Sequence, residues 1–236
     1  MPQVFPVVGI IGPRQVGKTT LAKMLIADLK KTVEVIDLER PSDLQKLSNA
    51  ELFFTQNREK LIVIDEVQRM PALFPIIRSM VDEHRVSARF ILLGSASPNL
   101  MRQSSESLAG RIYYEELTPF LYNEVREQTT ILQHWTFGAY PEPFFQNNED
   151  AKKYWYHSFI QTYLERDLPL LGLNSNSLDL TRLAQLLAHL NGQTENNSAL
   201  ARALGVSMPT VKNAVDYFER AFLIRRLKPW FTNVKK

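Results

Sequence analysis

Short apolar runs alternate with segments of helical spacing through the first half of the chain. FPVVGII (5–11) is the first run, and TTLAKMLIADLKK (19–31) follows it with apolar positions three and four apart. VEVIDLE (33–39) and LIVIDE (61–66) read as second and third strands. PALFPIIRSMVDEH (71–84) has the helical pattern, with Pro71 near its first turn. RFILLGS (89–95) reads as a fourth strand, a helix ending near Ala109-Gly110 follows, and IYYEEL (112–117) reads as a fifth. Strands that alternate with helices predict a mainly parallel sheet covered on both faces, an α/β fold.

Beyond Pro119 the strand runs stop. Residues 120–170 are aromatic-rich and mostly helical in pattern, interrupted by FGAYPEPFF (137–145). LDLTRLAQLLAHL (178–190), NNSALARALG (196–205) and SMPTVKNAVDYFERAF (207–222) read as three helices, and LIRRLKPWF (223–231) as a closing strand. The expected organisation is a core over 1–120, a helical segment over 121–171 and a terminal module over 172–236. Trp135, Trp155, Tyr163 and Trp230 are expected in the core rather than as base-stacking platforms.

Composition narrows the chemistry. The 236 residues contain no cysteine, which excludes disulfides, zinc–thiolate sites and a catalytic thiol. His84, His134, His157 and His189 have no metal-ligand spacing. No apolar run approaches the roughly 20 residues of a membrane span, and Arg14 and Lys18 interrupt the apolar start. A soluble, cytoplasmic protein with no membrane partner is the expectation. The net charge of +3 is uneven, because residues 171–236 hold nine Lys and Arg against four Asp and Glu. A basic tail is suited to an anionic partner.

GPRQVGKT (12–19) fits G-x-x-x-x-G-K-[ST] between an expected strand and an expected helix. Gly12 and Gly17 let the backbone curl so that its N–H groups face phosphate oxygens. Lys18 would reach the β- and γ-phosphates, and Thr19 would hold Mg²⁺. Pro13, Arg14, Gln15, Val16 and Thr20 complete the expected nucleotide-binding set, with ATP and Mg²⁺ as cofactors. Asp65 ends the apolar run LIVIDE, where open α/β sheets bind ligands, and is placed to take Mg²⁺ through water. Glu66 beside it is placed to orient or deprotonate an attacking water. Ser95 ends the fourth strand and is placed to contact the γ-phosphate or that water, whereas Ser97 suits a helix cap. No [NT]KxD guanine-reading motif is present, which disfavours a GTPase. A small-metabolite kinase would have little use for Glu66.

GPRQVGKTTL, LIVIDEVQRMP, LLGSAS and SLAGRIYYEELTPFLYNEV, in that order, resemble the AAA+-type ATPases of bacteria and archaea. DEVQRMP, LAGR and GAYP together resemble more narrowly a prokaryotic group with an AAA+ core, a helical lid and a winged helix. The resemblance implies a P-loop sheet of order 5-1-4-3-2. It also places Gly138 and Pro141 of FGAYPEP near the adenine, although Gly and Pro would equally make an inter-helix turn. Arg166 is then a lid phosphate sensor or a partner of Glu165 or Asp167. Members of that group commonly continue into a further domain of unknown function past the point where this chain stops.

Arg111 of SLAGR lies at the amino end of its expected strand, away from the phosphate edge. The resemblance makes it an arginine finger acting in trans on a neighbouring copy in a homo-oligomer. The alternative is a salt bridge to Glu115 or Glu116. In SALARALGVSMPTVKNAV, Ala201, Gly205 and Val211 carry helix-turn-helix spacing. Thr210, Lys212 and Asn213 would face outward on the second helix, with Arg225, Arg226 and Lys228 in a wing. Asp216 and Glu219 interrupt that basic face, so a DNA partner and a protein partner both remain open. The leading expectation is Mg²⁺-dependent ATP hydrolysis that drives conformational change. Its alternative is a slow nucleotide-gated switch that presents the winged helix.

Overall fold

The computed structural model describes residues 4–29, 31–95, 107–170, 173 and 178–227. The chain falls into two compact units, residues 1–159 and 160–236. The first unit opens with β1 (Val7–Gly12), α1 (Lys18–Asp28), β2 (Val33–Asp37), α2 (Pro41–Lys46) and α3 (Ala50–Gln56). It continues with β3 (Leu61–Asp65), α4 (Leu73–Glu83), β4 (Phe90–Ser95) and β5 (Ile112–Glu116). The strands form one sheet of order β2-β3-β4-β1-β5, paired in parallel throughout. This is the expected 5-1-4-3-2 order read from its other edge. The expected helix between the fourth and fifth strands, and Ser97 within it, lie largely outside the described residues.

Two-sided burial explains the unbroken apolar runs. All five residues of β3 and all six of β4 are buried. Ile62, Ile64, Phe90 and Leu92 face one cluster with Phe54, Phe74, Ile77 and Val81 from α3 and α4. Leu61, Val63, Ile91 and Leu93 face the opposite cluster with Ile10 and with Ala22 of α1. A one-residue slip would exchange the two sets. Each of these large side chains contributes about 1.5–3 kcal/mol when buried, so the register is strongly determined. The register sets Gly12 beside Ser95 and Asp37 beside Asp65 at the carboxyl edge.

Arg89 enters this core just before β4 and is only 3% exposed. Its guanidinium donates to the carbonyls of Met80 at 2.6 Å and Phe54 at 3.4 Å, and lies 5.2 Å from the Phe90 ring centre. These carbonyls belong to the last turns of α4 and α3, and that of Met80 also accepts from the His84 N–H at 3.1 Å. A cation at two helix carboxyl ends is favourable.

The first unit then runs through α5 (Tyr122–Val125), α6 (Ile131–Phe137), α7 (Pro141–Phe144) and most of α8 (Glu149–Thr162). Trp155 stacks on Phe159 at 5.0 Å, and Tyr140 packs against both rings. Trp135, expected in the core, is instead 78% exposed: α6 buries none of its residues.

In the second unit, a π-helical turn (Tyr163–Asp167) and α9 (Leu168–Leu170) precede α10 (Leu180–His189), α11 (Asn197–Leu204) and α12 (Met208–Arg220). Asn196 caps α11 by accepting from the Ala199 N–H, Gly205 ends it at φ 68°, and Ser207 caps α12 by accepting from the Thr210 N–H. Ala201, Val211, Ala214, Val215 and Phe218 are buried. Tyr163 is buried as expected, and its hydroxyl donates to the Ala221 carbonyl at 3.0 Å. The expected closing strand does not form over residues 224–227, and Lys228 and Trp230 lie outside the described residues. No helix among the described residues is long and apolar enough to cross a membrane.

Replacing Arg89 with Leu should cost about 1–3 kcal/mol, because it removes the buried hydrogen bonds to the Met80 and Phe54 carbonyls. Urea denaturation of Arg89→Leu measures this, and an unchanged midpoint would contradict the assigned role.

Candidate functional site

The loop between β1 and α1 is shaped by close approach. A Cβ on Gly12 would lie 2.2 Å from the Leu117 carbonyl oxygen, so only glycine fits there. Gln15 at φ 61° and Gly17 at φ 99° are left-handed, and Val16 between them is buried. This alternation turns successive N–H groups into an anion-binding concavity ahead of the α1 amino end. Thr19 and Thr20 lie in the first turn of α1, with Arg14 half-buried on the loop's outer limb.

Lys18 is 6% exposed and donates to the carbonyls of Gly12 at 3.1 Å and Pro13 at 2.7 Å. Burial pushes its pKa down, opposed by the carboxylates of Glu66 and Asp65. The Thr19 hydroxyl donates to Asp65 Oδ2 at 2.6 Å, joining the start of α1 to the end of β3. The other oxygen, Asp65 Oδ1, accepts from the Glu66 N–H at 2.9 Å. The residues fit Mg²⁺, a hard cation that takes few protein oxygens and completes its shell with water and phosphate. No group of three or more acidic or histidine side chains suited to a metal occurs among the described residues, and this type of site needs none.

Glu66 leaves the strand in a left-handed conformation at φ 56°, ψ 42°. Burial raises its pKa, and the nearby Lys18 ammonium opposes that rise. Its carboxylate accepts a short hydrogen bond from Gln68 Nε2, which also donates to Ser95 Oγ at 3.0 Å. Ser95 is buried at the tip of β4. The structure thus brings Lys18, Thr19, Asp65, Glu66 and Ser95 to one edge, as the motifs required. Gln68 escaped the sequence reading: the only signal was its place two residues after Glu66 in DEVQ.

The AAA domain family matches residues 4–126, just over half of the chain. The chain belongs to the AAA domain family. Residues 128–236 match a domain of unknown function (DUF8612). Two curated relatives, the uncharacterized proteins Mb2031c of Mycobacterium bovis and Rv2008c of Mycobacterium tuberculosis, are each 38% identical over 231 residues. The match covers 98% of this chain and 52% of each relative, so the chain spans about half their length. A solved katanin structure, described for the basis of katanin self-assembly, overlaps 90% of this chain and 78% of its own. Its TM-score is 0.40 and its identity 17%.

Elsewhere in the first unit, Pro141 Cγ lies 3.9 Å from the position a Cβ on Gly17 would take, so α7 starts against the phosphate loop. Gly138 ends α6 at φ 65°, and a Cβ there would meet the Tyr156 hydroxyl at 2.6 Å. Burial pushes the pKa of the intervening Tyr140 up to about 12.

Arg111 immediately precedes β5, and its carbonyl accepts from the Val7 N–H at the amino edge of the sheet. The five residues of β5 at about 3.3 Å each set it roughly 16 Å from the phosphate edge. Its guanidinium pairs with Asp82 of α4, Nε at 2.6 Å and Nη2 at 2.9 Å. The carboxylate expected in this role was Glu115 or Glu116. Asp82 takes it because α4 ends at the same sheet edge.

In the second unit Lys212 and Asn213 are exposed and Thr210 is half-buried. Arg226 turns to three carboxylates: Glu219 at 2.9 Å, Asp216 at 2.6 Å and Glu195 at 3.8 Å. The hydrogen bond to Glu219, followed by that to Asp216, raises its pKa. Arg166 is exposed on the π-helical turn.

Gly12→Ala should destabilise the AAA domain by the about 1–3 kcal/mol typical of overpacking, because the added methyl meets the Leu117 backbone. A thermal melt reads this out, and an unshifted midpoint would contradict the close approach.

Proposed function

We propose that this chain binds ATP with Mg²⁺ and hydrolyses it, using turnover to drive conformational change. The observation that carries the reading is the Thr19–Asp65 hydrogen bond at 2.6 Å, with the Lys18 ammonium and Glu66 carboxylate beside it. Mg²⁺, when bound, would supply charge neutralisation for the phosphates, and Thr19 and Asp65 are the residues that would hold it. Lys18 exchanges the loop carbonyls of Gly12 and Pro13 for phosphate oxygens, and the loop N–H groups from Arg14 onward cradle the remainder. Glu66 holds the attacking water and takes its proton. Ser95 contacts the γ-phosphate or that water. Pro141, packed against the loop, and Gly138 belong to the adenine side.

The AAA core is assigned to residues 1–120, a helical lid to 121–171 and a winged-helix module to 172–236. Thr210, Lys212, Asn213 and Arg225 are its proposed contacts to DNA. Arg226, drawn to Asp216, Glu219 and Glu195, contributes less there. Few cations then meet phosphate, so such binding would be weak and steeply salt-dependent. A protein partner for the same helix is the competing assignment.

Arg111 is proposed to act in trans in a homo-oligomer, since it lies at the opposite edge from its own phosphate loop. Its ion pair with Asp82 is exposed, so it is screened by salt and readily exchanged for a neighbour's phosphate.

Lys18→Ala should abolish binding of a fluorescent ATP analogue. Glu66→Gln should bind it normally while turnover falls by about 10²-fold or more. Full turnover by purified Glu66→Gln would sink the assigned base. Arg111→Ala should lower turnover by about 10³-fold or more. Mixing it with Lys18→Ala should restore part of the activity, because the two variants rebuild composite sites between subunits. A mixture no more active than its components would contradict the assignment in trans.

A further inference from the structure

Gln68 lies in the 3₁₀ turn Val67–Arg69 that follows Glu66, a turn closed by the Arg69 N–H on the Glu66 carbonyl at 2.9 Å. From there its side chain reaches across to β4, 27 residues on in the chain, while still touching Glu66. A primary amide nitrogen carries two protons. One goes to Glu66 Oε2 and the other to Ser95 Oγ, so the donor capacity of Nε2 is fully used. The orientation is determined chemically: the reversed amide would turn its oxygen toward the Glu66 carboxylate. The remaining atom, Gln68 Oε1, is buried and has no hydrogen-bond donor among the described residues. A buried acceptor without a donor is a cost, and a surface glutamine would avoid it by turning outward. The side chain is held inward by what its nitrogen does.

We propose that Gln68 is the positioning residue of the hydrolytic centre: its amide, bonded at once to Glu66 and Ser95, sets the carboxylate's rotamer and couples it to the tip of β4. The inference rests on the hydrolytic reading above. Glu66 needs such a partner because it leaves β3 through a left-handed residue, so the strand does not direct its side chain. Around it lie Lys18 from α1, Asp65 from β3 and Glu39 from the segment after β2, which attract or repel the carboxylate without directing it. Gln68 is the neighbour that donates a directional hydrogen bond to it. Through Ser95, a displacement at the tip of β4 is transmitted to the base. The side chain acts through Glu66 and need not touch the nucleotide.

The test compares wild type, Gln68→Met, which keeps length and volume but removes the donors, and Gln68→Asn, one methylene too short to span both partners. Steady-state hydrolysis of MgATP should show kcat reduced about tenfold or more in Gln68→Met, part of the about 10²–10⁴ available to general base catalysis. KM and the affinity for a fluorescent ATP analogue should stay within about threefold. Gln68→Asn should fall between the two and serves if Gln68→Met folds poorly. In the nucleotide-free protein, urea denaturation of Gln68→Met, Ser95→Ala and the double variant should be non-additive, because both substitutions delete one shared hydrogen bond. Wild-type kcat in both Gln68 variants, a change confined to KM, or strict additivity would overturn the inference and leave the hydrolytic reading standing. If wild type shows no hydrolysis that Lys18→Ala removes, the hydrolytic reading fails and the inference with it.

Discussion

The hydrogen bond from Thr19 to Asp65 joins the first helix of the sheet to the end of its third strand, two positions along the strand order from β1. It can form only if β1, β4 and β3 lie side by side and end at one level. Parallel pairing brings this about, and the two buried clusters prevent a slip. The loop, the acid pair and the β4 tip therefore have common geometry before any ligand arrives. Preorganisation of this kind is what electrostatic catalysis draws on.

Burial makes the same edge electrically demanding. Lys18 and Glu66 each lose hydration, and each is shifted toward its neutral form. Their mutual attraction offsets part of that loss, and the carbonyls of Gly12 and Pro13 accept the ammonium's protons. In the proposed reaction an incoming polyphosphate would meet a loop whose lysine is already desolvated, so little water would have to be stripped from it. The opposite edge carries Arg111 in an exposed pair with Asp82, so the two charged centres of the domain are separated by the length of a strand.

Much of the sheet was legible because its signals are local and redundant: apolar runs, helical spacing and a glycine-rich loop with Lys18-Thr19 agree with one another. The convergence of Lys18, Thr19, Asp65, Glu66 and Ser95 followed from them, whereas the five-strand order was implied by the resemblance to AAA+-type ATPases. What escaped depends on distant partners. Gln68 acquires its place only when β3 and β4 lie side by side, and Arg111 meets Asp82 only because α4 ends beside β5. Arg89 carries no sequence mark of burial, since its partners are helix-end carbonyls. Trp135 was expected inside on hydrophobicity, a one-way rule that exposed aromatic residues regularly break. Arg226 reads as wing charge from composition, yet α12 supplies two carboxylates one turn apart that capture it.

In the proposed reaction, water held at Glu66 attacks ATP at this edge. Single-turnover reaction of the protein with MgATP in H₂¹⁸O tests it directly. One solvent-derived oxygen is expected in the released inorganic phosphate, and none when Lys18 is replaced by Ala, because no phosphate is then released. Phosphate appearing on another acceptor, or released without label, would contradict it.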